Sequence, residues 1–242
     1  MRNDSIKLHI RQYYAALYEN KQPRHLPVKT GRLLAECLNY PLTLLHFLSD
    51  NYWQHFLPCG NPMGLLSPKS GDRLLNLGCG AAIDSFVMAA LHKDGIEIVN
   101  LDVVFTALHK ACCQARRAPF EHMLRWLCAD GEKLPFQNES FDWLLMNGSF
   151  NLFPQKSTVL QEIRRVLKPL GVFCCADLCA ASMLPDYFEQ EKDAWAWCMS
   201  GACTEERLGQ LLTSHALECM RLNRRKASGD LLYPVVFSCR KV

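Results

Sequence analysis

Residues Leu74–Asp84 read LLNLGCGAAID. An apolar run, Leu74 to Leu77, ends in Gly78-Cys79-Gly80, and a helix-forming stretch follows. Glycines at such a turn let the backbone come close to a ligand, and the start of the helix offers unpaired N–H groups. About twenty residues later a second apolar run ends in Asp102, at the spacing where a carboxylate can accept hydrogen bonds from ribose hydroxyls.

Outward from this turn, short apolar runs alternate with helical stretches as far as Asp177. Arg73–Leu77, Ile96–Leu101, Leu124–Cys128, Trp143–Met146 and Val172–Ala176 read as strands. Ser85–His92, Thr106–Arg116 and Thr158–Leu167 read as the helices between them. This alternation predicts an α/β fold, a mostly parallel sheet with helices on both faces and a ligand at the carboxyl ends of the central strands. A helix at Thr204–Ser214 precedes two further strands, Glu218–Leu222 and Tyr233–Ser238, expected as an antiparallel hairpin at the sheet edge. At the other end, Ile6–Tyr18 places Ile6, Ile10, Tyr13, Tyr14 and Leu17 on one helical face. Lys21–Thr30 reads as a loop, and Arg32–Leu57 as a second helical piece broken by Pro41. The expected organisation is an N-terminal helical cap and connector over residues 1–70 and a ligand-binding core over 71–180. Helices and edge strands over 181–242 would complete the same domain.

Composition narrows the function classes. The 242 residues carry 27 basic and 24 acidic side chains, a formal charge of +3 with no basic stripe, which argues against nucleic acid as a partner. Apolar runs such as Phe86–Leu91 are too short to cross a bilayer, and Met1–Ile10 lacks the apolar stretch of a secretory signal. A cytoplasmic location is the expectation. Thirteen cysteines without a Cys-x-x-Cys pair favour small buried thiols in a reducing compartment over a structural zinc site, so no metal is expected.

Further along the chain stand VNLD (Val99–Asp102), ADGEKLPF (Ala129–Phe136), SFDWLLMN (Ser140–Asn147) and RRVLKPLG (Arg164–Gly171). Together with LNLGCG, this series resembles the class I S-adenosylmethionine-dependent methyltransferases over Asp72–Asp177. The resemblance implies a Rossmann-like doubly wound sheet and S-adenosylmethionine as cofactor. A dinucleotide oxidoreductase shares the glycine turn and the acidic residue, but leaves the LPF, FDW and VLKP segments without a role. By the resemblance, Gly78 and Gly80 line the methionine part of the cofactor, with Asn76, Cys79 and Asp84 in the same element. Asp102 takes the ribose hydroxyls, Val103 packs on adenine, and Asp130 with the Gly131 backbone meets the adenine amino group. Asn147 faces the transferred methyl. The family has an acidic residue where Asn76 stands and a glycine where Ala82 stands, so a charge near the cofactor's ammonium is lost.

Within this family the chain is most similar to the arsenite methyltransferases. Gln12-Tyr13-Tyr14, Asp84, Asn147–Leu152, Val236–Arg240 and above all WAWCMSGACTEERL (Trp195–Leu208) carry the likeness. It implies that Cys59 and Cys198 hold a thiophilic acceptor, since soft thiolates suit a soft centre. Gly148 stands where those enzymes carry a third cysteine, so a third donor would come from elsewhere, such as glutathione. Cys203 would lie on another helical face if that stretch is helical. Two other readings remain open: an O-, N- or C-methyltransferase of an organic metabolite, as in ubiquinone-type biosynthesis, and a non-catalytic S-adenosylmethionine-binding protein. An oxygen or carbon acid needs a base, for which His55, His109, His122 and His215 are candidates. Tyr13, Tyr14, Tyr52 and Trp53 either form a lid or bury the N-terminal helices. The expected partner is a small-molecule acceptor, bound by a monomer or homodimer.

Overall fold

A computed structural model describes residues 3–19, 30–93 and 95–242. The loop expected at Lys21–Thr30 lies almost wholly outside them. Helix α1 (Asn3–Tyr18) precedes two short helices, α2 (Gly31–Cys37) and α3 (Asp50–Trp53). Then come β1 (Arg73–Leu77), α4 (Ile83–Leu91), β2 (Glu97–Asp102), α5 (Phe105–Ala115), β3 (Leu124–Cys128) and β4 (Phe141–Asn147). Helix α6 (Lys156–Val166) leads to β5 (Leu167–Ala180), and α7 (Tyr187–Gln190), α8 (Lys192–Ala196) and α9 (Glu205–Ser214) follow. Strands β6 (Leu217–Arg224) and β7 (Leu232–Lys241) end the chain.

The seven strands lie in the order β3-β2-β1-β4-β5-β7-β6. Pairings from β3 through to β5 are parallel, and β7 runs antiparallel to both β5 and β6. The chain leaves β1 towards β2 and β3, then returns to β4 on the other side. That reversal opens a crevice at the carboxyl ends of β1, β2 and β4, the general ligand position of this topology. The fold is the mostly parallel, doubly wound α/β sheet with an antiparallel edge hairpin that the pattern predicts.

Alternation along β1 divides the core. Leu74 packs towards α4, with Phe86 and Val87, while Leu75 and Leu77 face α6, with Leu160 and Ile163. Helix α6 buries Val159, Leu160, Ile163 and Val166, one stripe at helical spacing. No helix among the described residues is long and apolar enough to cross a membrane.

Three expectations need correction. The helical piece over Arg32–Leu57 divides into α2, a 3-10 turn at Leu42–Leu45 and α3. Asn39 adopts φ +57°, and the residue before Pro41 is driven from helical geometry, so the chain breaks earlier and more often than one proline suggests. Strand β5 extends beyond Val172–Ala176 in both directions: β4 pairs with it at Leu167, and the antiparallel β7 pairs with it as far as Ala180. The cysteines are free thiols, but only Cys174, Cys175, Cys179, Cys198 and Cys239 are buried. Cys128, for instance, is exposed at the end of the edge strand β3.

Candidate active site

The glycine turn is built from positive backbone angles. Gly78 has φ +73°, and a Cβ there would lie 2.5 Å from Ser149 Cβ; Gly80 has φ +49°, and its Cβ would meet the Tyr18 hydroxyl at 2.7 Å. The Gly78 and Cys79 amides both donate to the Leu101 carbonyl, at 2.8 and 3.1 Å, which docks the turn on β2. Asp102 completes the arrangement: its carboxylate accepts from Gly80 N at 2.8 Å and Val104 N at 2.9 Å. Burial pushes the Asp102 carboxyl up, against the pull of these backbone amides.

Above the turn lies a cavity of about 350 Å³. Gly78, Cys79, Gly80, Asp84, Asp102 and Val103 line it, together with Asp130, Gly131 and Asn147. Burial holds the Cys79 thiol protonated, well above its ordinary value. Helix α1 lies across the opening, where Lys7 Nζ bridges Asp130 at 2.7 Å and Glu132 at 2.8 Å. Burial raises the Asp130 carboxyl, but Lys7 and the Glu132 amide outweigh it and hold the group below its usual range. A ligand amino group directed at Asp130 must therefore share it with Lys7.

Asn76 does not belong to this wall. Two positions before Gly78, it lies on the α4 side of β1, is 2% exposed, and donates to Ser85 Oγ at 2.8 Å. Its expected place beside a cofactor ammonium is corrected to a buried tie between β1 and α4. The cavity's carboxylates near the turn are Asp84 and Asp102.

Asp84 and Asn147 belong to one buried network. Tyr40 donates to Asp84 Oδ1 at 2.6 Å, and Asn147 Nδ2 to Asp84 Oδ2 at 3.1 Å. Asn147 Nδ2 also reaches the Tyr40 hydroxyl and the Gly60 carbonyl, while Oδ1 accepts from Cys59 N at 3.0 Å and Gly60 N at 3.4 Å. Asn147 is thus a clamp on the segment Pro58–Gly60 as well as a cavity residue. Burial pushes the Asp84 carboxyl up to about 6 from 3.8, despite the hydrogen bonds of Tyr40 and Asn147. With the folded value above the unfolded one, Asp84 is protonated in both states below pH 3.8. As pH rises towards 6 the folded state resists its ionisation, and stability is lost across that window. Asp84→Asn is therefore expected to gain stability relative to the native chain between pH 4 and 6. Urea denaturation at each pH measures this.

The two candidate thiols meet beside the cavity wall. Cys59 Sγ lies 3.7 Å from Asp177 Oδ1, and Cys198 Sγ donates to the Gly148 carbonyl at 3.1 Å. The two sulfurs and an Asp177 oxygen all fall within 4.8 Å of one another. The Cys59 contact and burial push the Cys198 thiol well up. The Cys198 contact lowers the Cys59 thiol, but burial and Asp177 raise it further, so it too stays protonated. Asp177 is 2% exposed and also accepts from Asn151 N, Asn151 Nδ2 and Leu178 N. Lys156 Nζ lies 5.1 Å from the Phe150 ring centroid, and its field favours the ionised forms of Cys198 and Asp177. Cys203 follows α8 in a non-helical stretch and is not part of the cluster.

Gly148 has φ +65°, and a Cβ there would meet Leu57 O at 3.0 Å and Cys59 Sγ at 3.4 Å. The third cysteine of the resembling enzymes has little room here. Gly148→Cys is expected to cost about 1–2 kcal/mol of stability through left-handed strain, and to leave turnover no higher; denaturation and a rate assay check both.

Of the candidate bases, His55 is buried, lines the cavity and stacks on Tyr18 with centroids 5.0 Å apart. His109 stacks on Phe105, His122 is exposed, and His215 Nδ1 lies 2.7 Å from Leu211 O at the end of α9. Tyr14 and Tyr18 cover the cavity, whereas Tyr52 and Trp53 are core, with Tyr52 donating to Ala81 O at 2.8 Å. Tyr13 accepts from Trp197 Nε1 at 2.8 Å and so ties α1 to the C-terminal region. Sequence reasoning missed Tyr18, Lys156 and Asp177. For Asp177 the signal was present, a lone acid closing the apolar strand FCCAD.

A family model described as a methyltransferase domain matches residues 68–216, more than half of the chain. The chain belongs to the methyltransferase-domain family. Arsenite methyltransferase from Halobacterium salinarum is 28% identical over 177 residues, 73% of this chain and 45% of the relative. Its mouse namesake is 34% identical over 153 residues, 57% of this chain and 40% of the relative. The chain thus spans under half the length of these relatives. Among solved structures, an arsenic(III) S-adenosylmethionine methyltransferase from Chlamydomonas reinhardtii superposes with a TM-score of 0.67 at 22% identity. That match covers 82% of this chain and 71% of the algal one, and supports the fold of the methyltransferase domain. S-adenosylmethionine is the cofactor this family implies, and the residues present fit it. Gly78, Gly80 and Gly131 keep the wall clear where a Cβ would collide, and Asp102 stands at the strand end facing the cavity.

Proposed function

We propose that this methyltransferase-domain chain transfers a methyl group from S-adenosylmethionine to a small thiophilic acceptor, arsenite, held by Cys59 and Cys198. The observation that carries this reading is the convergence of two thiols, distant in sequence, against Gly148 in the cavity wall. Bound S-adenosylmethionine supplies an electrophilic methyl group on a sulfonium.

The chain's residues supply position and shielding. Asp102, with both oxygens oriented by backbone amides, offers its remaining lone pairs to hydroxyl groups in the cavity. Val103 and Gly131 offer apolar wall and backbone for a planar ring. Tyr14 and Tyr18 close the cavity from α1, and exclusion of water favours transfer over hydrolysis. As arsenite binds, two As–S bonds form and two As–O bonds break, with the thiol protons leaving in water. The arsenic lone pair remains available, so no general base is required, which accords with four histidines in no catalytic arrangement. In-line geometry then sets the rate.

Release of S-adenosylhomocysteine, measured by mass spectrometry with arsenite plus glutathione and with glutathione alone, tests the reading. Arsenite-dependent release supports it. Cofactor binding without arsenite stimulation overturns the acceptor assignment and directs the search to organic acceptors.

A further inference from the structure

The cluster of Cys59, Asp177 and Cys198 has the composition and spacing of a mixed thiolate–carboxylate metal site. We propose that it binds one divalent d10 cation, such as Zn²⁺, through both sulfurs and an Asp177 oxygen, leaving a fourth position open. A tetrahedral zinc with its usual bond lengths to sulfur and oxygen sets those two ligand atoms about 3.6 Å apart. Cys59 Sγ and Asp177 Oδ1 stand 3.7 Å apart, which matches that edge, and the Cys198 sulfur lies within 4.8 Å of the other two ligand atoms.

The surroundings favour this use. Asn151 N, Asn151 Nδ2 and Leu178 N fix the Asp177 carboxylate at 3.0, 2.9 and 2.8 Å, the outer-shell orientation that metal-binding carboxylates require. Cys198 is held at φ +62°, a left-handed angle rare for a side-chain-bearing residue. Gly148 brings no third sulfur to the cluster, and the oxygen of Asp177 offers the third donor from β5. Two thiolates and Asp177 carry three negative charges, the Lys156 ammonium offsets one, and a divalent ion neutralises the rest. Binding forms two S–metal bonds and one O–metal bond. Two thiol protons pass to the buffer, and no group is oxidised or reduced. Competition between such a cation and arsenite for the two thiols follows too, and that part rests on the proposed function.

Cadmium is the probe, because its bonds to thiolates absorb in the ultraviolet. Cd²⁺ bound by the full chain is measured by equilibrium dialysis and by this absorption, in the native protein, Cys59→Ser, Cys198→Ser and Asp177→Asn. Exposed thiols such as Cys37 and Cys219 contribute the same background to all four. The native chain is expected to hold one more Cd²⁺ than either serine variant, and Asp177→Asn to bind that ion about 10–100-fold more weakly. Equal binding by native and serine variants overturns the site, and these two variants decide the matter if Asp177→Asn does not fold. Displacement of the extra Cd²⁺ by arsenite supports the competition. Cd²⁺ that is bound but resists arsenite overturns the acceptor assignment and leaves the cation site standing.

Discussion

Cys198→Ala is expected to lower arsenite-dependent release of S-adenosylhomocysteine by about a hundredfold or more, the scale on which lost positioning acts, with cofactor affinity largely intact. The two effects separate because of where Cys198 lies. It is 3% exposed, contacts Gly148 O and Cys59, and is not among the residues lining the cavity. Truncation removes one thiol and one hydrogen bond, at a stability cost of about 1 kcal/mol. It leaves the glycine turn, Asp102 and Asp130 in place. One thiolate cannot hold arsenic at a fixed distance and angle, so the loss falls on turnover. Cys59→Ala should behave alike. The assay is the rate at saturating S-adenosylmethionine beside a binding isotherm, and an unchanged arsenite-dependent rate in both variants would exclude the two thiols as acceptor ligands.

The second large effect lies at the glycine turn. Asp102→Ala is expected to weaken S-adenosylmethionine binding by about 1.5–3 kcal/mol, roughly 10–100-fold, through the loss of charge-assisted hydrogen bonds. Two losses add there. The carboxylate no longer meets the ligand's hydroxyls, and the Gly80 and Val104 amides lose their acceptor, so the glycine turn loosens. Asp102→Asn keeps one acceptor oxygen and should fall between the native chain and the alanine variant. Calorimetry with S-adenosylhomocysteine measures both, and native affinity in the alanine variant contradicts the assignment. A protein that binds the cofactor without catalysis would show the same weakened isotherm with no rate to lose.

The fold was legible in the sequence where structure is local. Strands β1 and β3 begin and end where their apolar runs do, and the glycine turn with Asp102 marks the crevice unaided. What the sequence hid depends on direction or distance. Asn76 is in register with the turn, but strand alternation sends its side chain to Ser85. Asn147 was legible as a strand-end residue, yet its clamp on Cys59 and Gly60 exists only because the N-terminal segment folds back across the sheet. Asp177 escaped because the residues it joins, Cys59 and Cys198, lie on either side of it in sequence, the first 118 residues away. Contacts of that kind are set by topology and leave no periodic trace. The failure of Arg32–Leu57 to form a longer helix has the same origin: its tyrosines dock on α4 and the turn before it, with Tyr40 reaching Asp84 and Tyr52 reaching Ala81.

The central claim, that two protein thiols present arsenic to the cavity, is tested most directly by X-ray absorption at the arsenic edge. Spectra are recorded with one equivalent of arsenite and no glutathione, on the native chain and on Cys59→Ser/Cys198→Ser. The expectation is two sulfur neighbours in the native protein and fewer in the double variant, where only background thiols such as Cys37 and Cys219 remain. The same sulfur coordination in both, or none in the native chain, contradicts it.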